Sequence, residues 1–556
     1  MHTKKGSNKV ANSNGSKNLI CDPVPRDSLG CGEIDFFVPE IYNASEVLFH
    51  NLKEGRGGKI AIYSEDGQTT FSELCAKACK TGNALKSLGL EDNARILLFL
   101  DDTAQYPAVF FGAIRAGFVP VLINTLSTED LLRFYLQDSG AAVAIYDSIY
   151  ADLFNDETIR NSSLSLIISV NGDPAAVKGI RTVSWDNWVD GHLTEMDAAP
   201  TNRDDMSFWM YSSGSTGRPK GIVHLQHDML YSVQSFGRHV LKVRENDICF
   251  SVPKIFFAYG LGNSTYFPFS VGASVVLYKG RPTPESVFDA IEKYQPTLFF
   301  GLPTLYNALL QSERCFTAKL NSVRLCLSAA ETLSEEMFKK WHDLFSHEIV
   351  EGLGSTEMTH VYLSNRSGCY RVGSAGQRVP GYEIKMTDLD GNLVKKGDEG
   401  LLWVRGDSSA PCYWNRPEKT AETMRGSWIW TGDFFTEDED GFFYFRGRAD
   451  DLIKVSGQWV YPLEVELCLA NHPKLQECAV MGIQGEDNRM VLHGFVVPDS
   501  EVQACAALTK ELQGYVKAKL VPYKYPRIIH YVDALPKTGT DKIDRQALLR
   551  FVQVQD

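Results

Sequence analysis

The sequence predicts an α/β protein: a large N-terminal domain of parallel α/β sheets with a small β-rich section, followed by a small C-terminal α+β domain. Three observations carry that expectation. Short apolar runs alternate with helical stretches from about residue 36 to residue 212, and again from 273 to 328, which is the rhythm of strands covered on both faces by crossover helices. After about residue 376 the texture shifts to turns and alternating strands. Over the last hundred residues strand and helix alternate once more.

Taken in order, the first strands are Arg95–Phe99 (RILLF), 119–123 (VPVLI) and 142–146 (AVAIY). They show no polar alternation, so both faces are expected to be covered. The second series is 273–278 (ASVVLY), a helix over 285–294, then 298–300 and 323–328. Strands follow at 383–386, 400–404 and 441–445, with Asp390-Gly391-Asn392 as a tight turn. The closing domain reads as a helix over Pro462–Ala470, strands at 477–481 and 493–497, and a helix over 502–519. The expected division is a disordered tail over 1–30, a large domain over 31–449 and a small one over 450–556.

A chain of 556 residues exceeds what one core normally organises, and 44% hydrophobic with 22% charged residues is ordinary for a globular protein. The net charge of -13 argues against nucleic acid as a partner, because such binding rests on clustered Lys and Arg. An anionic substrate must meet a local positive site instead. Twelve cysteines are scattered without a C-x-x-C pair, which speaks against zinc and disulfides and for reduced thiols in a cytoplasm. Lys4, Lys5, Lys9 and Lys17 are followed by no apolar stretch, so no secretory signal is expected. No apolar run approaches the roughly 18 residues of a membrane span.

The strongest local signal is Tyr211-Ser212-Ser213-Gly214-Ser215-Thr216-Gly217-Arg218-Pro219-Lys220-Gly221. Glycines let backbone N–H groups approach phosphate oxygens, hydroxyls add donors, and Lys220 adds charge. The segment suits a polyphosphate, yet Pro219 occupies the second-glycine slot of the ordinary P-loop pattern. Three other patterns fail on inspection. Thr265 replaces the third glycine after Gly260-Leu261-Gly262, the Asp388–Gly391 spacing collapses as an EF-hand, and no G-x-S-x-G elbow surrounds Ser212-Ser213.

This loop resembles that of the adenylate-forming superfamily of acyl-CoA synthetases, luciferases and peptide-synthetase adenylation domains. The likeness continues in order through Gly354-Ser355-Thr356-Glu357, Thr431-Gly432-Asp433, Gly447-Arg448-Ala449-Asp450-Asp451 and the segment from Pro536 to Lys542. It implies ATP, Mg²⁺ and coenzyme A as co-reactants, and a mobile small domain. By that resemblance Ser212, Ser213, Gly214, Ser215, Thr216, Gly217 and Lys220 hold phosphates. Ala329, Ala330, Glu331, Glu351 and Gly352 border the nucleotide, Thr356 holds the α-phosphate, and Glu357 carries Mg²⁺. Asp433 takes the ribose hydroxyls with help from Arg448. Lys542 bridges carboxylate and α-phosphate, Asp450 is the hinge, and Gly457 faces the pantetheine channel. The chain departs from the family pattern at Asp541, where glycine usually precedes the lysine, and at Ala330, an alanine in place of glycine.

The chemistry calls for such groups. A carboxylate is a poor electrophile, and attack on the α-phosphorus of ATP gives it a leaving group while crowding anionic oxygens together. A second tier of resemblance, through Lys254 to Asn263 and Gly352 to His360, is to the benzoate-CoA ligase family. It implies an aryl-acid pocket lined by Ala258, Tyr259, Ala329, Gly354, His360 and Val361, with His224 near the carboxylate. Small residues leave a slot for a flat ring. Two alternatives stay open: transfer to a carrier-protein phosphopantetheine, and a silent aryl-acid sensor. The ring substituent and a homodimer also stay open.

Overall fold

The computed structural model describes residues 34, 36–214, 217–331, 333–455, 458–485, 490–500, 502–537 and 543–555. The large part is built on two sheets. In the seven-stranded one, Arg95–Phe99 lies between Val119–Leu122 and Val143–Asp147. Leu166–Val170 and Arg181–Ser184 extend it on one side. On the other, Met206–Gly214 pairs parallel to Val119–Leu122 and turns back antiparallel as Gly217–Leu225. Every residue of Val143–Asp147 and Leu166–Val170 is buried, which is why 142–146 reads as an apolar run without polar alternation.

The nine-stranded sheet runs Gln377–Arg378, Val361–Ser364, Ile349–Gly354, Leu325–Ala329, Leu298–Gly301, Ile248–Ser251, Ser274–Val276, Ile60–Ser64, Gly67–Thr70. Its centre is parallel and both edges are antiparallel. Helix Phe71–Lys86 starts on a Thr70/Glu73 capping box. Helix Pro284–Tyr294 starts on Thr283 with proline at its head. In both the cap side chain accepts from an otherwise orphan N–H group, and in the second Pro284 adds a φ already set for the helix.

The β-rich section is an antiparallel meander of Glu383–Thr387, Glu399–Arg405, Trp428–Glu437 and Phe443–Arg448, with Met424–Arg425 at its edge. Residues 453–552 then pack two cores of their own, one around Val465, Leu469, Val480 and Leu512 and one around Ala479, Phe495 and Leu548. The fold class is therefore as expected, with large and small domains.

Several boundaries differ from the sequence reading: the strands expected over 323–328, 441–445, 477–481 and 493–497 are Leu325–Ala329, Phe443–Arg448, Leu475–Gln484 and Met490–Pro498. The strand expected over 273–278 pairs only as Ser274–Val276. The helix expected from residue 502 starts at Ala506, after an extended Cys505 with φ -158°. Its buried stripe of Leu508, Leu512 and Val516 begins only there, so residues 503–505 have no apolar face to cover. Among the described residues no helix is long and apolar enough to cross a membrane.

Candidate active site

The two strands that carry the glycine- and hydroxyl-rich segment, Met206–Gly214 and Gly217–Leu225, pair with each other as a β-hairpin. Ser212 pairs with Lys220 and Gly214 with Gly217, so strand geometry fixes Lys220 relative to the serines. Ser215 and Thr216 lie outside the described residues, as do Gly457 and Lys542.

Lys220 Nζ sits 4.3 Å above the ring of Tyr413, and the Tyr413 hydroxyl donates to Glu357 Oε1 at 2.7 Å. Burial lowers the Lys220 ammonium below its ordinary value, with the Glu357 carboxylate opposing that. Tyr413 is held by a bridge to Ile222 and by the Trp414 N–H, which donates to the Gly221 carbonyl at 2.8 Å. Three separated segments thus bring a cation to the ring face and a carboxylate to the hydroxyl of one tyrosine.

Asp433 and Arg448 lie directly across from one another on neighbouring strands, and Arg448 Nη1 donates to Asp433 Oδ1 at 2.8 Å. Asp450 follows in the turn after that strand. Its charge acts on both Lys220 and Arg448. Lys220, the Asp433–Arg448 pair and Asp450 therefore share one electrostatic neighbourhood.

Glu351 is buried, and its Oε1 accepts from the Leu333 N–H at 3.2 Å. Burial, with that hydrogen bond opposing it, pushes the carboxyl up to about 8. Ala330 is exposed and has φ 75°, a left-handed conformation that costs an L-residue roughly 1–2 kcal/mol. The alanine noted as a departure from the family pattern is thus strained. An Ala330→Gly variant should gain about 0.5–1 kcal/mol once the greater freedom of unfolded glycine is subtracted, seen as a higher denaturant midpoint at unchanged slope. An unchanged or lower midpoint would refute the strain.

The residues expected around the acid largely gather in one place. The Tyr259 and His360 rings are 5.4 Å apart. Gly354 lies opposite Val361, and a Cβ on Gly354 would come within 2.5 Å of the His360 carbonyl. Only glycine fits that approach. Ala329 lies opposite Gly352, whose own Cβ would meet the Val361 side chain at 2.9 Å. Ala258 opens the short helix Ala258–Leu261 beside Tyr259. His360 Nε2 donates to the Tyr259 carbonyl at 3.2 Å, while Nδ1 is buried without a hydrogen-bond partner among the described residues. Burial pulls this imidazole down to about 3, so it is a neutral wall.

His224 behaves differently. It is fully buried, its Nδ1 lies 2.8 Å from Asp228 Oδ2 and its Nε2 2.9 Å from the Thr356 carbonyl oxygen. Neither nitrogen is left for a substrate carboxylate.

The family described as AMP-binding enzyme matches residues 49–414, and its C-terminal domain matches residues 464–542. The chain belongs to the AMP-binding enzyme family. Among relatives of this AMP-binding enzyme, a benzoate–CoA ligase of Thauera aromatica is 41% identical, covering 91% of this chain and 96% of that protein. A 4-hydroxybenzoate–CoA/benzoate–CoA ligase of Rhodopseudomonas palustris is 40% identical over 91% and 94%. Of solved structures, an anthranilate CoA ligase in complex with anthranoyl-AMP superposes with a TM-score of 0.87 at 36% identity, covering 93% and 98%.

Sequence reasoning missed several members of this AMP-binding enzyme's site. Tyr413 stands in a Tyr-Trp-Asn-Arg-Pro stretch with no charge pattern to mark it. Phe236 and Phe267 flank His360 at 5.2 and 4.7 Å, and the sequence reading assigned neither. Asp228 follows His224 by four residues, but His224 lies on a strand and Asp228 opens the next helix, so no helical spacing marked the pair.

Proposed function

We propose that this enzyme activates benzoate or a substituted benzoate with ATP to the acyl-AMP, releasing pyrophosphate, and then transfers the acyl group to coenzyme A, releasing AMP. The observation that carries the reading is the convergence of Lys220 and Glu357 on Tyr413 beside the Asp433–Arg448 pair. In the first step a carboxylate oxygen of the acid attacks the α-phosphorus and pyrophosphate departs. In the second, the thiol sulfur attacks the acyl carbon and AMP departs with the bonding pair.

The hairpin around Ser212 and Ser213 supports the phosphates through N–H and hydroxyl donors, with Lys220 supplying charge. Asp433 accepts from the ribose hydroxyls while Arg448 keeps its carboxylate aimed. Thr356 meets the α-phosphate. Mg²⁺ is suited to Glu357. Among the described residues no group of three acidic, histidine or cysteine side chains could hold a metal, and Mg²⁺ ordinarily takes one or two carboxylates plus substrate phosphates. When bound, it would neutralise developing phosphate charge. The small domain turns about Asp450, bringing Lys542 to the first step and Gly457 to the pantetheine in the second. The ten described cysteines form no disulfide, which suits a cytoplasmic setting.

The test is a panel of benzoate, 4-hydroxybenzoate, octanoate and acetate with ATP and free coenzyme A, following pyrophosphate and thioester. Benzoate-like acids are expected to lead in kcat/KM. Pyrophosphate without thioester would favour carrier-protein transfer, octanoate as best substrate would remove the aryl pocket, and no acid-dependent pyrophosphate would make the chain a sensor.

A further inference from the structure

We propose that His224 and Asp228 are positioning residues for adenylation, locking the turn 356–359 to the phosphate hairpin so that Thr356 and Glu357 face Lys220 at a fixed distance. The proposal rests on the roles given above to Thr356 and Glu357.

The turn is strained. Thr359 has φ 67° and ψ -40°, near the γ-turn conformation that β-branched residues essentially avoid. Such a backbone persists only where its surroundings over-determine it, and here they do. The Thr356 carbonyl accepts from Thr359 N–H at 3.1 Å and from His224 Nε2 at 2.9 Å. The Glu357 carbonyl accepts from Ala410 N–H at 2.7 Å, and the Met358 carbonyl from Ser408 Oγ at 2.8 Å. Thr359 Oγ1 donates to the Ser408 carbonyl at 2.8 Å and lies 3.2 Å from His224 Nδ1.

Of these clamps only His224 comes from the strand that carries Lys220, four residues before it. It is therefore the direct tie between the cationic hairpin and the carboxylate turn. Its own position is fixed in turn. The ring stacks on Phe208 at 4.9 Å and 19°. Asp228 Oδ2 receives the Leu225 N–H at 3.0 Å as well as facing His224, and its Oδ1 lies 3.3 Å from His227 Nε2. All of His224 and Asp228 is buried. Burying such groups is costly unless they are paired and hydrogen-bonded, and an apolar pair would fill the same space. The arrangement gives up that simpler packing for a directed bond to Thr356.

The experiment compares His224→Leu, which keeps bulk but loses the donor, with His224→Gln, whose amide N–H can still reach the Thr356 carbonyl. Acid-dependent pyrophosphate release with benzoate, KM for benzoate, thioester formation from supplied benzoyl-AMP, and thermal midpoint are measured for each. His224→Leu should lower kcat for pyrophosphate release about 10- to 100-fold, the scale of a misplacement near 1 Å. Benzoate KM and the thioester step should stay close to wild type, and His224→Gln should recover most of the loss. Thr359→Gly separates positioning from folding: it relieves the φ strain, so the thermal midpoint should hold while pyrophosphate release falls.

Equal loss in the Leu and Gln variants, equal slowing of both half-reactions, or a loss explained by benzoate KM would overturn the proposal, the last returning His224 to the acid site. Should His224→Leu fail to fold, Thr359→Gly decides alone, an unchanged rate overturning the idea. A wild-type chain that releases no pyrophosphate with any acid would sink the underlying reading and this proposal together.

Discussion

Replacing Lys542 with alanine is expected to cut acid-dependent pyrophosphate release by about 100- to 1000-fold, the usual effect of removing one donor aimed at developing charge. Supplied benzoyl-AMP should still pass to coenzyme A at nearly the wild-type rate. The asymmetry follows from chemistry. In the first step two anions meet, a carboxylate and the α-phosphate, and a cation bridging them offsets their repulsion. In the second the nucleophile is a thiol and the lysine has no anionic pair to bridge. Lys542 lies outside the described residues, but Lys537 and Ile543 on either side of it pair antiparallel. Comparable losses in both half-reactions would refute a role confined to adenylation.

Enlarging Ala258 to leucine should lower kcat/KM for benzoate and 4-hydroxybenzoate by about 5- to 150-fold, from an overpacking cost of about 1–3 kcal/mol in a close-fitted site. Acetate, which leaves the ring slot empty, should lose much less. Ala258 sits next to Tyr259 at the head of a short helix. The surroundings cannot retreat far: Gly260 in the same helix is so close to the Pro253 and Lys254 carbonyls that a Cβ would fall 2.0 Å from the latter. An equal loss on acetate and benzoate would show that the leucine disturbs the carboxylate or nucleotide end rather than the ring.

The strands of the parallel sheets were legible because burial on both faces writes an unbroken apolar run, as in Arg95–Phe99 and 142–146. The phosphate segment was legible in chemistry but not in shape, since glycine and hydroxyl content announces close approach to an anion without saying that Ser212 and Lys220 are cross-strand neighbours. Asp433 and Arg448 were placed together from motif proximity, and the register supplies the reason. Tyr413 was invisible because its role depends on Lys220 and Glu357 arriving from distant segments. His224 was read from its position after the loop, where no periodicity shows that both ring nitrogens are spent on Asp228 and Thr356.

Strand Ile60–Ser64 pairs on one side with Gly67–Thr70 and on the other, in parallel, with Ser274–Val276. During synthesis the seven-stranded sheet can close once residue 225 is available, all its strands lying between 95 and 225. The hairpin 60–70 must wait for residue 276 with one edge unpaired. Pairings so distant in sequence are slow to form, and an open strand edge invites association with other chains in the meantime. Even when Ser274–Val276 joins it, Ile248–Ser251 still lacks its neighbour Leu298–Gly301, so the nine-stranded sheet keeps an open edge well after the seven-stranded one can close, a vulnerability set by strand order and independent of the chemistry the finished enzyme performs.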